Sequence, residues 1–144
     1  MKEYCVSLEL AKELKENGFL QKSFNSWVKS YDVGKELKGI IPDCGSFYWF
    51  DKEQMIDRYE IERYSAPTSD EILKKLPSFI FNNDGDNCYL TISKDYYTDK
   101  FKAVYVINYN SVSGFTPVKE MEEEKLSNAL AKMWLYLKKE GYIK

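Results

Sequence analysis

Leu126, Leu130, Met133, Trp134 and Leu137 recur at i, i+4, i+7, i+8 and i+11, which places them on one stripe of an α-helix. Ala129 adds a small residue to the same run, where another backbone can approach. Glu120, Glu122, Glu123 and Glu124 precede the stripe and Lys138 and Lys139 follow it. That order suits acidic residues at a helix entry and basic ones at its exit. Gly141 is placed to end it. Burying five such side chains contributes on the order of 10 kcal/mol gross, against net stabilities of about 5–15 kcal/mol. Any fold of this chain must therefore bury this helix.

At 144 residues the chain suits one domain. A hydrophobic fraction of 44% and a charged fraction of 31% are those of a globular protein rather than a disordered one. The net charge of −2 argues against a nucleic-acid partner, because that affinity comes from Lys and Arg on phosphates. No apolar run reaches the roughly 18–20 residues of a membrane span. The N-terminus intersperses Glu and Lys among its apolar residues and does not read as a signal peptide. Cys5, Cys44 and Cys88 form no CxxC, which reads as reduced, cytoplasmic thiols. Histidine is absent, which removes the usual general base, the Ser-His-Asp and Cys-His arrangements and the commonest zinc ligand.

Along the chain, a first helix is predicted from about Ser7 to Glu16, with Ser7 as N-cap and Leu10, Ala11 and Leu14 inward. Asn17-Gly18 ends it, with Phe19 after. An Ala-x-x-Leu helix closing on Gly also occurs in helix-turn-helix domains, but a β-prone run follows here in place of a second basic helix. Strands are predicted at Phe24–Tyr31, Phe47–Phe50 and Tyr59–Tyr64. Asp32–Gly45 is a loop and Asp51–Arg58 is ambiguous. Thr68-x-x-Glu71 is a capping box for a short helix with Ile72, Leu73 and Leu76 on its apolar side, ended by Pro77. Strands at 78–82 and 87–93 flank a four-residue turn, so Phe81 faces Cys88, Ile80 faces Tyr89 and Phe79 faces Leu90. In that register Phe79, Phe81, Cys88, Leu90 and Ile92 share the core face, and Ile80, Tyr89 and Thr91 share the other. Phe101–Asn110 is a long strand, Ser113-Gly114 a turn, and Phe115–Val118 a short edge strand. The expected fold is a single α+β domain, 1–144: an antiparallel sheet covered on one face by the N- and C-terminal helices, with a short middle helix.

Candidate chemistry is sparse. The Asn82–Asn87 loop holds oxygen ligands, but its spacing is not that of an EF-hand, and the same residue types make hairpin turns. Pro42-Asp43 begins a PD-(D/E)xK nuclease pattern that the following residues do not complete. No GxxxxGK[ST] or GxGxxG occurs. Without His to activate a thiol, the cysteines read as inert. No catalytic residue, metal site or cofactor is expected. What stands out is aromatic content: 12 Tyr, 8 Phe and 3 Trp, with more tyrosines than one small core can satisfy. Some must face solvent, where Tyr favours binding surfaces.

Three runs carry a likeness: Cys5–Leu14 closing on Gly18-Phe19, Tyr64–Thr68 leading through Glu71-Ile72-Leu73 to Leu76-Pro77, and Asn128–Trp134. Together they resemble a family of small uncharacterised proteins encoded by bacteriophages, prophages and other bacterial mobile elements. The resemblance implies a bacterial cytoplasm and an accessory role, and it brings no functional residue. The expected function is a non-enzymatic binding protein, engaging a protein partner or a second copy through Ile80, Tyr89 and Thr91 on an aromatic sheet face. The alternatives are a small-ligand binder, for example one sequestering a nucleotide between rings, and an enzyme using carboxylates alone.

Overall fold

The computed structural model describes residues 4–23, 25–32, 48–50, 58–107 and 116–144. The expected loop at Asp32–Gly45 with Pro42-Asp43 and Cys44, the ambiguous Asp51–Arg58 segment, and the Ser113-Gly114 turn lie largely or wholly outside these residues. The class is α+β, with antiparallel sheets. Among the described residues two sheets are present where one was expected, and the chain divides into two compact units, Met1–Thr68 and Ser69–Lys144.

In the first unit, helix α1 (Leu8–Glu16) buries Leu10, Ala11 and Leu14, as the spacing predicts. Ser7 caps it, its Oγ accepting from the Leu10 N–H at 3.4 Å. At the other end the Phe19 N–H donates to the Leu14 carbonyl (2.8 Å) and the Gly18 N–H to the Lys15 carbonyl (3.1 Å). This paired closure needs a left-handed residue at its centre, and Gly18 has φ +83°. A strand, β1 (Ser26–Asp32), follows where a helix-turn-helix would need its second helix. It pairs antiparallel with β2 (Tyr48–Phe50) on one side and β3 (Arg58–Ser65) on the other, with a bulge between Lys29 and Ser30. Helix α1 packs on β3. The core of this unit includes Cys5, Val6, Leu14, Phe19, Trp27 and Ala66. A buried indole N–H needs an acceptor, and Trp27 Nε1 donates to the Val6 carbonyl at 3.1 Å. Lys15 Nζ donates to the Arg63 carbonyl at 3.0 Å while lying 4.7 Å from the Tyr64 ring centre, so its stem covers the sheet edge and its charge meets a π face.

The second unit opens with the short helix α2 (Ser69–Leu73) at the predicted capping box. It buries Ile72 and Leu76 but leaves Leu73 exposed. Four strands then lie in chain order: β4 (Phe79–Phe81), β5 (Asn87–Lys94), β6 (Phe101–Ile107) and β7 (Thr116–Glu123). The edge strand expected at Phe115–Val118 is longer, and it takes up Glu120, Glu122 and Glu123. Glu120 and Glu122 take alternate positions of β7 and both meet Lys102, while Glu123 ends the strand and pairs with Lys132. The C-terminal helix, α3 (Leu126–Lys139), has no acidic residue in its first turn and no side-chain cap at Lys125. It ends as α1 does: the Tyr142 N–H donates to the Leu137 carbonyl, with Gly141 at φ +81°.

Helix α3 packs on β6, β7 and α2. The expected single sheet under both terminal helices is thus corrected: α1 lies on the first sheet and α3 on the second. Leu130, Met133, Trp134 and Leu137 are buried as predicted, and Ser127, Ala131 and Leu135 are buried as well. The helix therefore buries more of its circumference than one stripe. Among the described residues the Ser127 hydroxyl has no hydrogen-bond partner. A buried hydroxyl left unpaired costs about 1–3 kcal/mol, and alanine is the better helix former. Ser127→Ala is therefore expected to leave stability unchanged or raise it by about 1 kcal/mol, read as a higher urea midpoint. A clear loss would mean that the hydroxyl has a partner in solution.

Candidate contact face on the second sheet

The outer face of the second sheet is set by one turn. Asn82 Oδ1 accepts from the backbone N–H of Asp84 (3.0 Å) and of Asp86 (2.7 Å), and Asn82 Nδ2 donates to Asp86 Oδ2 (3.2 Å). The Asn82 N–H also donates to the Asp86 carbonyl at 3.1 Å. Asn82 thereby belongs to the turn rather than to the strand, and its side-chain oxygen satisfies amides that a shorter loop would leave to the ladder. The oxygen groups of Asn82 and of Asp86 Oδ2 are engaged in holding the turn, which is the role this loop's composition also allows without a metal.

The register follows from that turn. Phe79 pairs with Tyr89, Ile80 with Cys88 and Phe81 with Asn87. This is one residue removed from the four-residue-loop register, and a one-residue shift exchanges the faces of the shifted strand. The correction falls on β4 alone. Ile80, expected on the open face, turns to the side of Cys88 and is buried. Phe79 and Phe81, expected in the core, turn outward and are 45% and 57% exposed. Tyr89 and Thr91 stay where the sequence placed them, exposed on the open face.

Three rings now meet on one face. Phe79 lies edge-on to Phe81 with centroids 5.7 Å apart, and 6.2 Å from Tyr89. Rows across the sheet can be read from the pairing: Tyr89 opposite Val106, Thr91 opposite Val104, and Ser93 opposite Lys102. Lys102 is opposite Glu122 and Val104 opposite Glu120 on the next strand. The face is thus aromatic and exposed on β4 and β5, has the buried Val104 and Val106 on β6, and is charged toward β7. There Lys102 Nζ lies 3.1 Å from Glu122 Oε2, 3.3 Å from Glu120 Oε1 and 3.9 Å from Asp95 Oδ2. A second aromatic pair, Tyr96 and Tyr97, stands nearly fully exposed on the β5–β6 turn, edge to face at 5.7 Å. Asp95 shapes that turn by accepting from the N–H of Tyr97 (2.9 Å) and Thr98 (3.0 Å). An Asp followed by exposed aromatics between two strands was a visible signal for a tyrosine-bearing turn, and the sequence pattern alone left it without a role.

The titratable groups here do not resemble acid–base machinery. Backbone N–H groups of Thr98 and Tyr97 hold the Asp95 carboxyl below its usual value. Lys102 and Lys100 do the same for Glu122, and Glu122 and Glu120 in turn raise Lys102. These shifts favour ions, whereas a carboxyl acting as general acid near neutral pH needs its pKa raised. Cys88 is fully buried, burial pushes its thiol up, and its Sγ–H points to the Asp86 carbonyl at 3.5 Å. Nucleophilic cysteines sit in the opposite environment. Among the described residues no group of His, Cys, Asp and Glu is arranged to hold a metal ion. No helix among them is long and apolar enough to cross a membrane.

Comparison with known proteins adds no relative: no family model matches the chain, and neither a curated protein nor a solved structure matches it.

Proposed function

We propose that this chain is a non-enzymatic binding protein whose contact surface is the open face of the β4–β5 hairpin: Phe79, Phe81, Tyr89 and Thr91. One observation carries the proposal, three half-exposed rings on one sheet face, with Phe79 packed edge-on to Phe81 and tilted against Tyr89. Isolated exposed apolar residues need no explanation, but a contiguous aromatic group is what interfaces are built from. The rings are already ordered by one another, so contact costs little side-chain entropy. The neighbouring ion cluster around Lys102 supplies the polar rim such a patch needs to be specific. The sequence resemblance supports an accessory role for a phage or mobile element in a bacterial cytoplasm.

The test is Tyr89→Asp in the full chain. Tyr89 is half-exposed but packs on Phe79, so folding should weaken by only about 1 kcal/mol and the protein should stay folded. Association, whether with itself in sedimentation or with a protein co-purified from bacterial lysate, should weaken by roughly tenfold or more, as loss of a central tyrosine does. Association that is indifferent to the substitution removes this face from the protein's function.

A further inference from the structure

Resting on that proposal, we infer that the partner is a second copy of this chain, added antiparallel along β4, the strand at the edge of that face, with Ile80 opposite Ile80. Among the described residues strand β4 is the outermost strand of its sheet, as the order β4-β5-β6-β7 shows. Which of its backbone groups point outward follows from the hydrogen bonds on its inner side. The Leu90 N–H donates to the Ser78 carbonyl and the Asn82 N–H to the Asp86 carbonyl. In an antiparallel ladder hydrogen-bonded pairs alternate, so Ser78, Ile80 and Asn82 bond inward to β5. The N–H and C=O of Phe79 and Phe81 then point away from the sheet.

Those outward groups are self-complementary. A two-fold axis at Ile80 sets Phe79 of one copy opposite Phe81 of the second, and the reverse. Each pair exchanges two N–H···O=C bonds, so every outward group of β4 is used and none is duplicated. The same axis lays four phenylalanine rings side by side on the continued open face, with Tyr89 of each copy beside them. Charge agrees with this direction. Lys74 and Lys75 precede β4 and Asp84 follows it, all exposed, and antiparallel addition brings the basic end of one copy toward the acidic end of the other. The four rings would cover on the order of 400 Å², less than the ~1,200 Å² at which stable interfaces begin. The dimer is therefore weak and concentration-dependent.

Sedimentation equilibrium of the full chain, up to several hundred micromolar, should show a reversible monomer–dimer equilibrium. Phe81→Pro removes one outward N–H at a position where an edge strand tolerates proline, and it should shift the protein to monomer with unchanged far-ultraviolet dichroism. The register is read independently by cysteine variants under mild oxidation. Opposed hydrogen-bonded residues have Cα atoms about 5.5 Å apart, within disulfide reach. A mixture of Phe79→Cys and Phe81→Cys chains should therefore link, while either variant alone and the native protein should not. A strict monomer, or a dimer that links in any other pattern, overturns the inference. If the chain is monomeric yet captures a lysate protein lost on Tyr89→Asp, the second copy is excluded and the contact face stands. If neither association occurs, both fall.

Discussion

Trp134→Ala is expected to lower the stability of the protein by about 3–5 kcal/mol, the cost of truncating a buried aromatic side chain. Trp134 is 6% exposed on the helix that packs against β6, β7 and α2. Leu130, Met133 and Leu137, on the same stripe, are wholly buried, and such neighbours collapse only partly into the space a missing ring leaves. Total stabilities of about 5–15 kcal/mol leave little margin for such a loss. Urea denaturation measures it as a fall in midpoint at nearly constant slope. A midpoint that does not move would place the indole outside the core.

Tyr105→Phe should cost about 1–3 kcal/mol and should also change how stability depends on pH. Tyr105 is wholly buried at the centre of β6, and its hydroxyl donates to the Pro77 carbonyl at the end of the short helix. Removing the hydroxyl takes this donor from the carbonyl of the half-buried Pro77 and leaves a small gap beside it. Burial also raises the Tyr105 pKa well above the ordinary 10.0. In the unfolded chain the phenol ionises near 10, while in the folded chain it stays protonated. Between those values the folded state holds the extra proton, so stability is full below pH 10 and falls as pH rises above it. Tyr105→Phe should flatten this alkaline decline while lowering the plateau. If native and variant proteins lose stability in parallel above pH 10, the buried phenol is not responsible for the decline.

Local pattern made the helices legible. The stripe of Leu130, Met133, Trp134 and Leu137, the Ser7 cap and the Gly18 and Gly141 stops each depend on residues within a few positions of one another. The strands were located for the same reason. Pairing was less accessible. Nothing between residues 26 and 65 states that β1 lies between β2 and β3, so two sheets could not be told from one. The hairpin register turned on a single residue, because Asn82 has β-compatible neighbours on one side and a turn on the other. Only its hydrogen bonds decide that it joins the turn. That decision moved Ile80 inward and brought Phe79 and Phe81 out to Tyr89, so half of the candidate contact face was visible in the sequence and half was not. The acidic run before α3 was misassigned because Glu120 and Glu122 take alternate positions of a strand, and without the partner strand β6 the run reads as a polar helix entry.

The two sheets also differ in what they demand of a chain still being synthesised. In the second, every strand lies beside its neighbour in sequence, and such hairpins close in roughly 1–10 μs. In the first, the central strand is made earliest, and Trp27 must wait for Trp49 and then for Tyr64 opposite it. At about 5–20 residues per second, the ribosome leaves this strand without its last partner for several seconds. During that interval Trp27 is an apolar side chain with no sheet to close over it, a natural target for holding chaperones. Ribosome-stalled chains probed by limited proteolysis should show residues 4–32 becoming protected only once Ser65 has cleared the exit tunnel. Protection in shorter chains would mean that α1 shelters the strand alone.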